Sequence, residues 1–265
     1  MATATAMLAA AGRTPDDLEC GPQLPSSEEA AIALVRAGKA PSALHNNCSG
    51  KHAGMLAACI HLDFDPRGYA RPEHPLQSLI ARLISETCGI ALDQSRMGID
   101  GCSVPTWAAP LRALARGFAR LGTGEGLTGE RARAAKRLVA ACFASPGMVA
   151  GEGRFDTLVM SKLAPSVFVK GGAEGVHCAA LPGLGLGVAV KVDDGAKRGA
   201  ERVLAETIAA LLPQARAALE DQLAGEIVNW RGTRAGGIAA SPELQRALGS
   251  LAALDRGDCG VVTGA

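Results

Sequence analysis

The sequence is poor in aromatic residues and in net charge. Phe, Trp and Tyr make up 3% of its 265 residues, so a core must be built mainly from Ala, Leu, Val and Ile. Lysine and arginine number 27 against 26 acidic residues. Because nucleic-acid binding needs a basic surface, we expect no nucleic-acid partner. No apolar run reaches the roughly 20 residues of a membrane-spanning helix, so we expect no membrane association either.

The sequence also lacks closely paired cysteines. Its eight cysteines are scattered and none forms a CxxC pair. This spacing argues against a zinc ribbon and against a thioredoxin-type motif. The first twelve residues are apolar, but no basic stretch precedes them, so they do not resemble a signal peptide. We therefore expect reduced cysteines and a cytoplasmic protein.

The hydrophobic periodicity predicts helices first and a sheet later. Apolar residues recur at helical spacing in these stretches: 2–11, 26–38, 52–62, 76–88, 110–121, 128–144, 196–212 and 214–223. A short strand running into a tight turn is predicted at 97–107. Short β segments separated by glycine-rich turns are predicted at 166–170, 176–181 and 186–192, with a last strand at 227–232. This order predicts an α/β (α+β) fold in which an antiparallel meander is flanked by helices. We expect one domain over residues 1–240 and a loosely ordered tail over 241–265.

One stretch, His45–His52, concentrates polar and ionisable side chains directly before a helical pattern. The exposed N–H groups of a helix start attract anions and stabilise thiolates, so the position suits chemistry. Cys48 and Lys51 share a helix face at i, i+3 spacing if the helix begins near Cys48. The structural alternative is an N-cap formed by Asn47 or Ser49.

A thiolate at Cys48 has two chemical uses. The first is metal binding, with Cys102 as the best second donor because it lies on a glycine turn beside Asp100; two sulfur ligands favour zinc. Lysine binds zinc only when it is neutral, so spacing alone leaves ordinary structural cysteines as the alternative. The second use is nucleophilic attack by Cys48, activated by Lys51 or His52.

A lysine followed by two glycines, Lys170-Gly171-Gly172, ends a predicted strand. Serine hydrolases of the penicillin-binding class carry a Lys-[Ser/Thr]-Gly at this kind of position and a Ser-x-x-Lys nucleophile elsewhere. No serine in this sequence has a lysine three positions later. That nucleophile motif is therefore absent from the 265 residues.

Three segments, in this order, carry a family resemblance: His45–Met55, Asp100–Thr106 and Lys170–Gly175. They resemble the asparaginase II family of L-asparaginases, whose fold is of the serine β-lactamase/glutaminase-like type. Further similar segments are Cys20–Pro22, Gly153–Asp156 and Asn229–Gly232.

The resemblance implies hydrolysis of L-asparagine to L-aspartate and ammonia. It further implies a zinc ion bound by Cys48, Lys51 and Cys102, with Asp100 supporting the site. His52 is implied to lie near the substrate, in a homodimeric protein. Lys170 corresponds to the lysine of one of the family's Ser-Lys pairs, so the implied catalytic residues are Lys170, His52 and Asp100.

The sequence departs from the family at one important point. The family's nucleophile lies in an Arg-Ser-x-x-Lys segment near its N-terminus, and this sequence has no such segment. We therefore expect the family domain to be incomplete at its N-terminus. The alternative to an active amidohydrolase is a catalytically inactive, zinc-binding remnant of the family.

Overall fold

The structure, a computed structural model, describes residues 1–253. The chain forms two compact units, the first made of Met1–Glu86 with Ile90–Ala109 and the second of Thr87–Gly89 with the chain from Pro110 onward. Residues 254–265, including Cys259 and the end of the predicted tail, lie outside the described residues.

The first unit is mainly helical. Its elements are α1 (Ala2–Ala10), α2 (Glu28–Arg36), α3 (Ser49–His61), α4 (Pro75–Cys88), β1 (Met97–Ile99) and β2 (Pro105–Trp107). The two strands pair antiparallel and enclose the Asp100–Val104 turn. Helix α1 packs on α3, and Leu8, Leu56 and Tyr69 are completely buried in the core. Both the helical stretches and the strand-turn at residue 97 agree with the sequence prediction.

The second unit combines helices with a three-stranded sheet. Its helices are α5 (Leu111–Thr123), α6 (Gly129–Ala144), α7 (Gly147–Ala150), α8 (Phe155–Leu163), α9 (Lys197–Leu211), α10 (Glu220–Ala224) and α11 (Pro242–Ala253). Its strands are β3 (Phe168–Gly171), β4 (Val176–Leu181), β5 (Leu186–Lys191), β6 (Glu226–Val228) and β7 (Arg234–Gly237). Strands β3, β4 and β5 form an antiparallel meander in that order, as the sequence predicts.

Two helices cover this sheet. Helix α9 contributes Leu204 and Ile208, which are completely buried in the same core as Val169 of β3. Helix α5 lies so close to β5 that a Cβ on Gly187 would be 1.9 Å from the Ala115 carbonyl oxygen. The mixture of helices and small antiparallel sheets is compatible with the predicted α/β class. The finer expectation of a β-lactamase-like arrangement stays a prediction.

Several predicted elements differ from the structure. The predicted last strand at 227–232 is confirmed only at 227–228, within β6. The chain then turns at Asn229, whose side-chain oxygen accepts the N–H groups of Arg231 and Thr233 at 3.0 Å each, and returns as β7. The predicted helix at 214–223 is two 3₁₀ turns followed by α10. Helix α8 was not predicted.

The predicted tail is partly described. Its residues 242–253 form α11, which starts where the Ser241 hydroxyl accepts the Leu244 N–H at 3.2 Å. The expectation that the tail beyond Ala253 is loosely ordered stays a prediction. Within the described part of the chain, no helix combines the length and apolar character required to cross a bilayer.

We expect Gly187→Ala to destabilise the protein by about 1–3 kcal/mol, because α5 must move away from β5 to admit the methyl group. Gly183→Ala is the matched control, since a Cβ there meets no atom within 4 Å. Free energies of unfolding from denaturant titration measure both changes. Equal stability of the two variants would contradict the close packing of α5 on β5.

Candidate active site

The N-terminus of α3 is held in place by Asn46. This buried side chain donates from Nδ2 to the Cys20 carbonyl at 2.9 Å and accepts the Cys48 N–H through Oδ1 at 2.8 Å. Helix α3 then starts at Ser49, with Cys48 as its N-cap residue, and no side-chain cap is found among the described residues. The helix therefore begins where the Cys48–Lys51 spacing required, and neither Asn47 nor Ser49 acts as the cap.

The turn between β1 and β2 is organised by Asp100. Its Oδ1 accepts the Cys102 N–H at 2.8 Å and the Val104 N–H at 3.2 Å. Its Oδ2 receives the Lys51 ammonium at 3.2 Å. Ser103 adopts a left-handed conformation, with φ of 74°, which turns the chain within this short loop. The carboxylate thus joins the turn that carries Cys102 to the helix that carries Lys51.

Cys48 and Cys102 pack in the same hydrophobic cluster of the first unit. The side chains of Lys51, Asp100 and Cys48 lie near enough to Cys102 to shift the pKa of its thiol. Cys102 is almost completely buried, whereas 40% of the Lys51 side chain is exposed. An ion pair this exposed contributes up to about 1 kcal/mol, so the two backbone bonds to Asp100 do more to fix the turn.

Burial and neighbouring groups shift the pKa values of Lys51, Cys102 and Asp100 in different directions. Burial alone would lower the pKa of Lys51, but the Cys102 side chain and the charges around it raise this pKa. Burial, together with Asp100, raises the pKa of the Cys102 thiol to about 12 despite the nearby ammonium. Burial would also raise the pKa of Asp100, but hydrogen bonds from Cys102 and the charge of Lys51 lower it.

The three donors suit a metal ion in chemistry. Two sulfurs and one amine lie near one another on two separate elements, and sulfur and nitrogen are donors that zinc prefers. Lys51 would have to lose its proton to bind. Across residues 1–253, no group of three or more His, Cys, Asp and Glu side chains is placed to hold a metal, so any site here depends on the lysine.

His52 is completely buried behind the cluster. Its Nδ1 lies 2.7 Å from the Tyr69 hydroxyl oxygen, which also accepts the Glu19 N–H at 2.9 Å. The hydroxyl has one proton to donate and Nδ1 lies within hydrogen-bond distance, so we assign the proton of the neutral imidazole to Nε2. That Nε2 makes no regular hydrogen bond to a described residue, although the Cys102 backbone lies near enough to raise the His52 pKa. Burial, with the nearby Lys51 charge, lowers the pKa of His52 to about 4.

Three residues that lie around this cluster were not predicted from the sequence to belong to the site. Glu19 fixes the loop that carries Tyr69, accepting the Gly68 N–H at 2.6 Å and the Ala70 N–H at 3.0 Å. Cys20 is buried nearby, and the charge of Cys48 contributes to raising its pKa, after burial. Tyr69 is the only tyrosine in an aromatic-poor sequence, and this rarity was the one available signal.

Lys170 belongs to the second unit, where it lies exposed near the end of β3. Its Nζ donates to the Gly171 carbonyl oxygen. The predicted site residues therefore divide between the units. Cys48, Lys51, His52, Asp100 and Cys102 come together in the first unit.

Comparison with known families decides the assignment of the chain. The family model for L-asparaginase II matches residues 1–240. The chain belongs to the L-asparaginase II family. Membership of the L-asparaginase II family confirms the resemblance seen in the three sequence segments and supports a hydrolase that acts on a small molecule. A search of curated proteins found no match to the chain.

We expect Asp100→Ala to destabilise the protein by about 1–3 kcal/mol at pH 7, because two backbone N–H groups lose their acceptor. Since the folded pKa of Asp100 lies below its ordinary value of 3.8, this difference should shrink as the pH falls below that value. Asp93→Ala is the control, because Asp93 makes only local, exposed bonds to Ser95. Equal losses of unfolding free energy in both variants would argue against the organising role of Asp100.

We expect His52 to be the neutral Nε2–H tautomer at pH 7 and to gain a proton only near pH 4. The unfolded imidazole binds its proton near pH 6.5, so His52 reduces stability as the pH falls from 6.5 to about 4. Side-chain ¹H–¹⁵N NMR reads both tautomer and titration. Tyr69→Phe should give a mixture of tautomers, whereas a proton on Nδ1 in the unsubstituted protein would refute the assignment.

Proposed function

We propose that the chain is an L-asparaginase-type amidohydrolase that converts L-asparagine to L-aspartate and ammonia. The family match over residues 1–240 carries this proposal. It is supported by the meeting of Cys48, Lys51, Cys102 and Asp100, which come from two of the family-like segments. The homodimer implied by the resemblance stays a prediction.

In this proposal Cys48, Cys102 and neutral Lys51 hold a zinc ion. Bound zinc would act as a Lewis acid that polarises an oxygen of the substrate. Asp100 fixes the turn that carries Cys102 and accepts the Lys51 ammonium when no metal is present. The buried position of Cys102 and the half-exposed position of Lys51 place the cluster at the edge of the first unit's core.

His52 and Lys170 have different proposed roles. His52 is proposed to lie near the substrate, behind the cluster, with an Nε2 atom that makes no regular hydrogen bond to a described residue. In a serine amidohydrolase the attacking hydroxyl gives its proton to a base, the amide nitrogen leaves as ammonia, and water hydrolyses the acyl-enzyme. We assign the proton transfer to Lys170.

A second function, metal binding without hydrolysis, is favoured by one observation. None of the serines in the 265 residues has a lysine three positions later. A nucleophilic Cys48 receives less support, because His52 uses Nδ1 for Tyr69 and its Nε2 bonds to no described residue. His52 is therefore not hydrogen-bonded to the Cys48 thiol.

The proposed hydrolysis predicts ammonia release from L-asparagine, measured for this chain and for one extended by residues encoded upstream. Lys170→Met should lower kcat by roughly 10²–10⁴-fold, as expected for loss of an acid–base group. Lys162→Ala is the control, because its exposed ammonium pairs only with Asp221 on the surface. Absence of ammonia release from both proteins would reject the amidohydrolase proposal.

The proposed metal site predicts one zinc ion per chain by elemental analysis after dialysis. Cys48→Ser and Cys102→Ser should both lose it, while Cys142→Ser in the second unit should retain it. Zinc without ammonia release would support the metal-binding alternative. Equal zinc content in all four proteins would reject the assigned ligands.

A further inference from the structure

A buried acid–histidine pair lies in the second unit beside Lys170. Asp156 and His177 are 4% and 3% exposed, and Nε2 of His177 lies 2.6 Å from Oδ1 of Asp156. The other carboxylate oxygen accepts the Gly171 N–H at 2.8 Å. Phe155 packs its ring against the imidazole at a centroid distance of 5.0 Å. Both oxygens of the buried carboxylate are therefore hydrogen-bonded, as a buried charge requires.

The Asp156–His177 pair contacts the end of β3, an edge strand of the sheet. Gly171 of β3 lies opposite His177 of β4, and the next N–H along, that of Gly172, donates to the Val176 carbonyl at 2.8 Å. Bonded and non-bonded positions alternate in an antiparallel ladder, so the Gly171 N–H points away from β4. In the sheet formed by residues 168–191, β3 has no partner on that side. Asp156 satisfies this otherwise open N–H group.

Residue Gly171 connects the Asp156–His177 pair to Lys170 through its two backbone polar groups. Its N–H is held by Asp156, and its carbonyl oxygen accepts the Lys170 ammonium. The packing around Gly171 is close, because a Cβ there would lie 3.2 Å from Cε1 of His177 and the imidazole would have to shift by a few tenths of an ångström to admit it. A displacement of the carboxylate would therefore move the backbone from which Lys170 extends.

We propose that Asp156 and His177 are positioning residues that fix the end of β3 and thereby the placement of Lys170. His177 orients the carboxylate, and the carboxylate holds the Gly171 peptide. The role in catalysis rests on the proposed function, which assigns proton transfer to Lys170. The role in fixing Gly171 does not depend on that assignment.

Amide hydrogen exchange followed by NMR tests the positioning of Gly171. Asp156→Ala should accelerate exchange of the Gly171 amide by roughly 10- to 100-fold, as expected for loss of a hydrogen bond to a charged acceptor. The amide of Ala179, in the central strand, should change much less. His177→Leu keeps the Asp156 carboxylate but removes the imidazole that donates to it, and it provides the test if Asp156→Ala does not fold.

His177→Gln retains an N–H donor to the carboxylate, so exchange of the Gly171 amide should stay slow in this variant. Lys162→Ala is the surface control on α8.

Steady-state kinetics test the effect on Lys170. Where the unsubstituted protein releases ammonia, Asp156→Ala and His177→Leu should lower kcat with little change in KM, and His177→Gln should recover kcat. Absence of activity in both the unsubstituted protein and the upstream-extended one, with fast exchange of Gly171 in the variants, would reject the proposed function and retain the positioning of Gly171. Unchanged exchange at Gly171, or equal acceleration at Gly171 and Ala179, would overturn the positioning proposal.

Discussion

The candidate site depends on one carboxylate, that of Asp100. Its two bonds to the N–H groups of Cys102 and Val104 shape the turn, and its contact with Lys51 ties that turn to the start of α3. The carboxylate thereby connects the two elements on which Cys102 and Cys48 lie. Burial lowers the pKa of Lys51, but the Cys102 side chain and the nearby charges raise it.

The same interaction, in which a side-chain carboxylate accepts backbone N–H groups, occurs at two other places. Glu19 accepts the N–H groups of Gly68 and Ala70 and so holds the loop that presents Tyr69 to His52. Asp156 accepts the N–H of Gly171 beside Lys170. Each carboxylate satisfies backbone donors that regular secondary structure leaves open, and each stands next to a candidate functional side chain. Such bonds are stronger than neutral ones, so short loops can be held in defined positions without a large aromatic core.

Much of this could be predicted from local sequence, and the failures have physical reasons. The β3–β5 meander and the start of α3 follow from residue periodicity, and Cys48, Lys51 and Cys102 could be grouped by their chemistry and by family resemblance. Glu19, Tyr69, Asp156 and His177 could not, because each acts through a contact with a residue distant in the chain. The pairing of His177 with Asp156 leaves no local signal, since the two residues are 21 positions apart in the chain. The hairpin at Asn229 was missed because an Asn side chain that closes a turn leaves no hydrophobic period.

The central claim is that Asp100 brings Cys48, Lys51 and Cys102 together as the ligands of one metal ion. X-ray absorption at the zinc edge of the zinc-loaded protein tests it most directly, because sulfur and nitrogen neighbours are distinguished by their bond lengths. We predict two sulfur neighbours and a nitrogen neighbour per zinc, a signal that Cys142→Ser retains and that Cys102→Ser loses together with the zinc. A spectrum with only nitrogen and oxygen neighbours, or one that Cys102→Ser leaves unchanged, would contradict the account.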